Sequence, residues 1–99
     1  MRIQDIHKHT LITYDLMTNV SVLKGADNVF SIYPTNKGPE DNTFLMVELH
    51  EGPGGHIERA KIMYPEGGET YMWCANKSNP CELFEDILDH GMTDTTRKI

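Results

Sequence analysis

Residues 43–91 read TFLMVELHEGPGGHIERAKIMYPEGGETYMWCANKSNPCELFEDILDHG. Side chains alternate faces along a strand, and three runs in this stretch alternate in that way, which predicts three strands. In the first, Leu45, Val47 and Leu49 share one face, with Phe44, Met46, Glu48 and His50 on the other. The second face begins apolar and ends charged, so one end of this strand is expected to be covered on both sides. In the second run Ala60, Ile62 and Tyr64 oppose Arg59 and Lys61, while Ile57 is out of phase, as a bulge beside the glycines would leave it. In the third, Tyr71, Trp73 and Ala75 alternate with Met72 and Cys74. The turns are Glu51-Gly52-Pro53-Gly54-Gly55 and Pro65-Glu66-Gly67-Gly68-Glu69. Gly67-Gly68 supplies positive φ without steric cost, as a hairpin needs.

A helix closes the stretch. Asn79 is a natural N-cap, Pro80 suits the first helical position, and Glu82 is placed to reach back to the cap nitrogen. Phe84, Ile87 and Leu88, with Cys81 at the margin, form the expected buried face, and Gly91 is the expected stop. The polar tail 93–99 is expected to fray.

Upstream the signals are shorter. Residues 10–17 are rich in β-branched and aromatic types and predict a strand, and Ile3 and Ile6 fit one helical turn. Val20-Ser21-Val22 and residues 29–33 read as partner strands around Gly25-Ala26-Asp27-Asn28. Residues 34–42 are the longest expected loop. The expected fold is one α+β domain over 1–99: an antiparallel meander of four to five strands with one C-terminal helix packed on it, and flexible ends at 1–9 and 93–99.

The 99 residues suffice for one modest core. Fifteen acids against nine Lys and Arg give a net charge of −6. That balance disfavours direct nucleic-acid binding and anionic membranes, and suits a basic protein partner. The longest apolar run, Phe44-Leu45-Met46-Val47, is too short to cross a bilayer, and the first residues lack the apolar core of a secretory signal. The glycosylation patterns at Asn19-Val20-Ser21 and Asn76-Lys77-Ser78 therefore carry no weight. Two cysteines without an export signal are read as reduced thiols in a cytoplasmic protein.

The sharpest functional feature is acidic. Glu82, Glu85, Asp86 and Asp89 stand three and four apart and share one helix face, opposite the apolar one. Glu66, Glu69 and Asp94 extend the bias. Residues 66–94 hold seven acids and the single base Lys77, so this segment accounts for the whole net charge of −6. Like charges at these spacings each cost roughly 0.2–0.5 kcal/mol. Either this is a solvated helix face, or it is a docking stripe for a basic protein surface, with Glu66 and Glu69 adding to it.

Other constellations are weaker. His7-Lys8-His9 alternates on a candidate strand, and His50 and His56 flank one turn. With Glu51 or Glu58 they form a conceivable divalent-metal set, but the spacing matches no zinc motif and scattered surface histidines are the simpler reading. Cys74 and Cys81 either pack the strand-to-helix corner as thiols or close a loop worth about 2.5 kcal/mol. Cys81 near a helix N-terminus invites a lowered pKa. Gly52-Pro53-Gly54-Gly55 joins two strands and lacks a following Lys-Ser or Lys-Thr, so it is a hairpin turn and not a phosphate loop. The three serines sit in no nucleophile elbow. Trp73, Tyr71, Tyr64, Tyr33 and Phe44 are read mostly as core or sheet-face residues, and Arg59 with Lys61 is too few bases for a nucleic-acid platform.

The leading expectation is a small, non-enzymatic, cofactor-free interaction protein, in the manner of inhibitors, antitoxins or immunity proteins. It would bind a larger protein with a basic surface, including one that itself handles nucleic acid, through Glu82, Glu85, Asp86, Asp89, Glu66 and Glu69. A phage or mobile-element origin is compatible with that class. The alternatives are a metal-binding protein using His50 and His56, and a homodimeric accessory subunit paired through an edge strand.

Overall fold

The computed structural model describes residues 1–7, 20–26, 28–38, 40–41 and 43–97, with side chains omitted at residue 7 and at 93–97. The strand expected at 10–17, together with Lys8 and His9, lies outside the described residues. A short helix α1, Ile3–His7, precedes strands β1 (Val20–Lys24), β2 (Val29–Pro34), β3 (Leu45–Glu51), β4 (Ile57–Met63) and β5 (Glu69–Trp73), and helix α2 spans Pro80–Arg97. The strands form one antiparallel sheet in the order β1-β2-β3-β4-β5, and α2 packs on one of its faces. The expected α+β meander is the fold, within a single domain.

The alternating patterns place the core. Leu45, Val47 and Leu49 point under α2, as do Phe30 and Ile32 from β2 and Ala60 and Ile62 from β4. Phe84 of α2 meets Phe30 edge-on, with ring centroids 5.5 Å apart, a geometry worth roughly 0.5–1.5 kcal/mol beyond area burial. Leu83 and Ile6 are also fully buried; both join the apolar set expected from the pattern, Ile6 by docking α1 onto the core.

The bulge lies where Ile57 falls out of phase. His50 faces Arg59 while the next residue, Glu51, faces Ile57, so Glu58 has no partner across the ladder. The extra residue turns Ile57 inward, where it is 3% exposed. In the two hairpin turns Gly54, Gly55, Gly67 and Gly68 all adopt positive φ. The N-terminal segment is fastened to the first of these turns. The Ile57 N–H donates to the Met1 carbonyl at 2.8 Å, and the Arg2 guanidinium donates to the Gly54 carbonyl at 3.2 Å.

Two expectations are corrected. Gly91 does not end α2, which runs on to Arg97, so the expected frayed tail at 93–97 is helical. Gly91 lies three to seven residues beyond Phe84, Ile87 and Leu88 and continues their buried stripe; a Cβ there would collide with the Leu45 side chain. The glycine permits close helix-to-sheet approach, and it has none of the positive φ of a C-terminal cap. His7 ends a helix and belongs to no strand. Of the set read as core or sheet-face, Trp73 and Tyr71 are sheet-face residues, 62% and 51% exposed on the face of the sheet away from α2.

Candidate functional site

Two surfaces lie on opposite sides of the sheet. The first is the outer face of α2. The Asn79 side chain accepts the Glu82 N–H at 2.9 Å, which starts the helix as expected. The Glu82 carboxylate does not return to the cap nitrogen but accepts the Ser78 hydroxyl at 3.4 Å. At about 100° per residue, Glu82, Glu85, Asp86 and Asp89 group on one stripe, and Leu83, Phe84, Ile87 and Leu88 on the opposite one. Glu82, Glu85 and Asp89 are exposed and Asp86 is half-buried, whereas the apolar stripe is buried.

Lys77 folds back from the β5–α2 connection to bond Asp86. That bond, opposed by partial desolvation, raises the Lys77 pKa above its ordinary value. The single base within the acidic segment thus neutralises one acid at the margin of the stripe. Beside it runs a groove of about 470 Å³ lined by Val20, Glu85, Asp86, Leu88, Asp89 and Met92, with carboxylates along an apolar floor. Glu66 and Glu69 do not join this arrangement. Glu66 is exposed on the β4–β5 turn, and Glu69, on the open sheet face, lies 3.5 Å from Lys61.

Comparison with protein-family models, curated proteins and solved structures yields no match.

The second surface is the open face of the sheet. Cross-strand register aligns His50, Arg59 and Trp73 in one row and Glu48, Lys61 and Tyr71 in the next. The Arg59 guanidinium lies over the Tyr71 ring, 5.8 Å from its centroid. Met46 and Leu23 add exposed apolar surface on the same face. Its charges are mixed: Lys61 is near Glu69, and His50 Nε2 lies 2.8 Å from Glu48 Oε1, out of line for a formed hydrogen bond. Such a face lacks the continuous positive track that nucleic-acid backbones require. Sequence reasoning underrated Tyr71 and Trp73. The signal was present in β4, because the strand's polar phase, Arg59 and Lys61, is the phase that pairs with Trp73 and Tyr71.

The remaining candidates are dispersed. His56 is exposed, its Nδ1 3.1 Å from the Met1 amino nitrogen, while His50 faces Arg59, a cation that opposes metal binding. Among the described residues no three His, Cys, Asp or Glu side chains converge on a common point. Cys74 and Cys81 are free thiols. Burial pushes the Cys74 pKa up to about 11. Cys81 is likewise raised, by burial and then by Glu85, against the expected lowering. A thiol held protonated is a poor nucleophile.

Proposed function

We propose that this chain is a non-enzymatic cytoplasmic protein that docks on a larger protein through the outer face of α2 and inhibits it by covering a basic surface. The observation that carries this reading is the segregation of α2: carboxylates, three of them exposed, on one stripe, and buried apolar side chains on the other. A helix anchored so completely presents its charges from a rigid base, and rigid charges steer encounter and fix register better than mobile ones. The groove beside the stripe suits a basic partner in particular. The aliphatic stem of a lysine or arginine fits its apolar floor formed by Val20, Leu88 and Met92, with the cationic head at the carboxylates. A partner whose basic surface ordinarily meets nucleic acid would be blocked by such an occupant. The two free thiols accord with a reducing compartment, and among the described residues no helix is long and apolar enough to cross a membrane.

The test compares the wild type with Glu85→Lys/Asp89→Lys. Asp86 is spared because its loss would strand Lys77. A partner captured from host extract by the wild type is purified, and binding to both proteins is measured by calorimetry. The variant is expected to lose at least about tenfold in affinity, with a further drop in wild-type affinity as salt rises. Its thermal midpoint should hold, since both positions are exposed in the interior of α2, where surface substitutions usually change stability by no more than about 0.5 kcal/mol. Equal affinity of the two proteins would sink the proposal.

A further inference from the structure

Strand β5 is an edge among the described residues, and its hydrogen-bond phase is defined. The Cys74 N–H donates to the Glu58 carbonyl at 2.8 Å and the Tyr64 N–H to the Gly68 carbonyl at 3.1 Å. Backbone groups alternate sides along an antiparallel strand, so those of Thr70 and Met72 point at β4. The N–H and C=O groups of Glu69, Tyr71 and Trp73 point off the sheet. Protein edges are ordinarily guarded by proline, lysine, a bulge or a covering segment. Glu-Thr-Tyr-Met-Trp has no proline, no base and no register shift against β4, and it carries two exposed aromatics. The other edge among the described residues, β1, ends in Lys24.

We infer that β5 pairs antiparallel with β5 of a second copy of this chain, joining the two sheets across a two-fold axis at Tyr71. The strand is self-complementary in that register. Tyr71 meets Tyr71 of the other copy as a hydrogen-bonded pair, Thr70 meets Met72, and Glu69 meets Trp73. No like charges fall opposite each other. On the open face, Arg59 is next to Trp73 within its own sheet, and the acid of the other copy lies next beyond it, so each row runs base, indole, carboxylate. Tyr71 and Trp73 gain cover without moving, because they already stand on the face that continues across the junction. The acidic stripe of α2 lies on the other side of the sheet and stays exposed in the pair, so this inference stands apart from the docking proposal. The net charge of −6 on each copy opposes association and is screened by salt.

The test is sedimentation equilibrium of the full chain from about 1 µM to about 500 µM at about 0.3 M salt, a range that covers the weak association a five-residue edge supports. The expected result is a rise from the protomer mass of 11.3 kDa toward twice that value. Trp73→Glu sets two acids opposite each other and should raise the midpoint concentration at least about tenfold. Adding Glu69→Gln should restore much of the loss. Tyr71→Pro removes an outward N–H that β4 does not use, and should abolish pairing while the circular dichroism spectrum is retained. A protomer mass at every concentration would overturn the inference and leave the edge to a strand of a different protein. Association unaffected by both Trp73→Glu and Tyr71→Pro would overturn it in favour of another surface.

Discussion

Cys74 is 2% exposed at the end of β5, its thiol bonded to the Met72 carbonyl at 3.4 Å. Its pKa rises from 9.0 to about 11, chiefly through burial, so the fold favours the neutral thiol. The folded value lies above the unfolded one; the stability this supplies is complete below pH 9 and is lost as pH climbs toward 11. Two pH units correspond to about 2–3 kcal/mol. Cys74→Ala should cost about 1 kcal/mol at neutral pH through lost packing and should flatten the decline that begins near pH 9. Urea titrations at several pH values would read both effects; an unchanged alkaline slope would exclude Cys74 as its source. Gly91 is the second decisive residue. In a helix interior Gly→Ala ordinarily gains about 1 kcal/mol, but here the new methyl strikes Leu45, itself 1% exposed and unable to swing clear. Overpacking costs about 1–3 kcal/mol, so Gly91→Ala should be net destabilising. Adding Leu45→Val should cost less in that background than in the wild type, and a double-mutant cycle would show the coupling.

Among the elements, α2 carries the most consequence. Its start was legible: Asn79 caps it through two bonds, the side chain to the Glu82 N–H and the carbonyl to the Leu83 N–H at 3.0 Å. Asn79→Ala should lower stability by about 1 kcal/mol, seen as a lower chemical midpoint at unchanged slope. The helix stop was not legible. A glycine after an apolar stripe carries the same letter whether it caps in the left-handed region or lets two backbones approach, and only the position of Leu45 and Ile62 beneath Gly91 separates the cases. The hairpins were legible because paired glycines have few other uses between alternating runs. The bulge was legible for a related reason: a strand whose apolar phase slips by one residue either loses Ile57 from the core or accommodates an extra residue, and burial of Ile57 decides for the second.

For the whole molecule, the disposition of charge gives the two proposed associations opposite expected responses to salt. The proposed docking of the acidic face on a basic partner should weaken as salt screens attraction, whereas the proposed β5 pairing of two like-charged copies should strengthen. A salt series on each therefore separates the two surfaces without a mutation. By itself the sequence determined the α+β meander, the hairpins, the start of α2 and the grouping of Glu82, Glu85, Asp86 and Asp89, because each follows from local periodicity and chain geometry. The tertiary structure alone decided where α2 ends, which thiol is most deeply buried, and that Glu66 and Glu69 lie apart from the helical acids. It also decided that Tyr71 and Trp73 face solvent. Alternation states which residues share a face of a strand; which face is covered depends on where a distant helix packs, and α2 covers the other one.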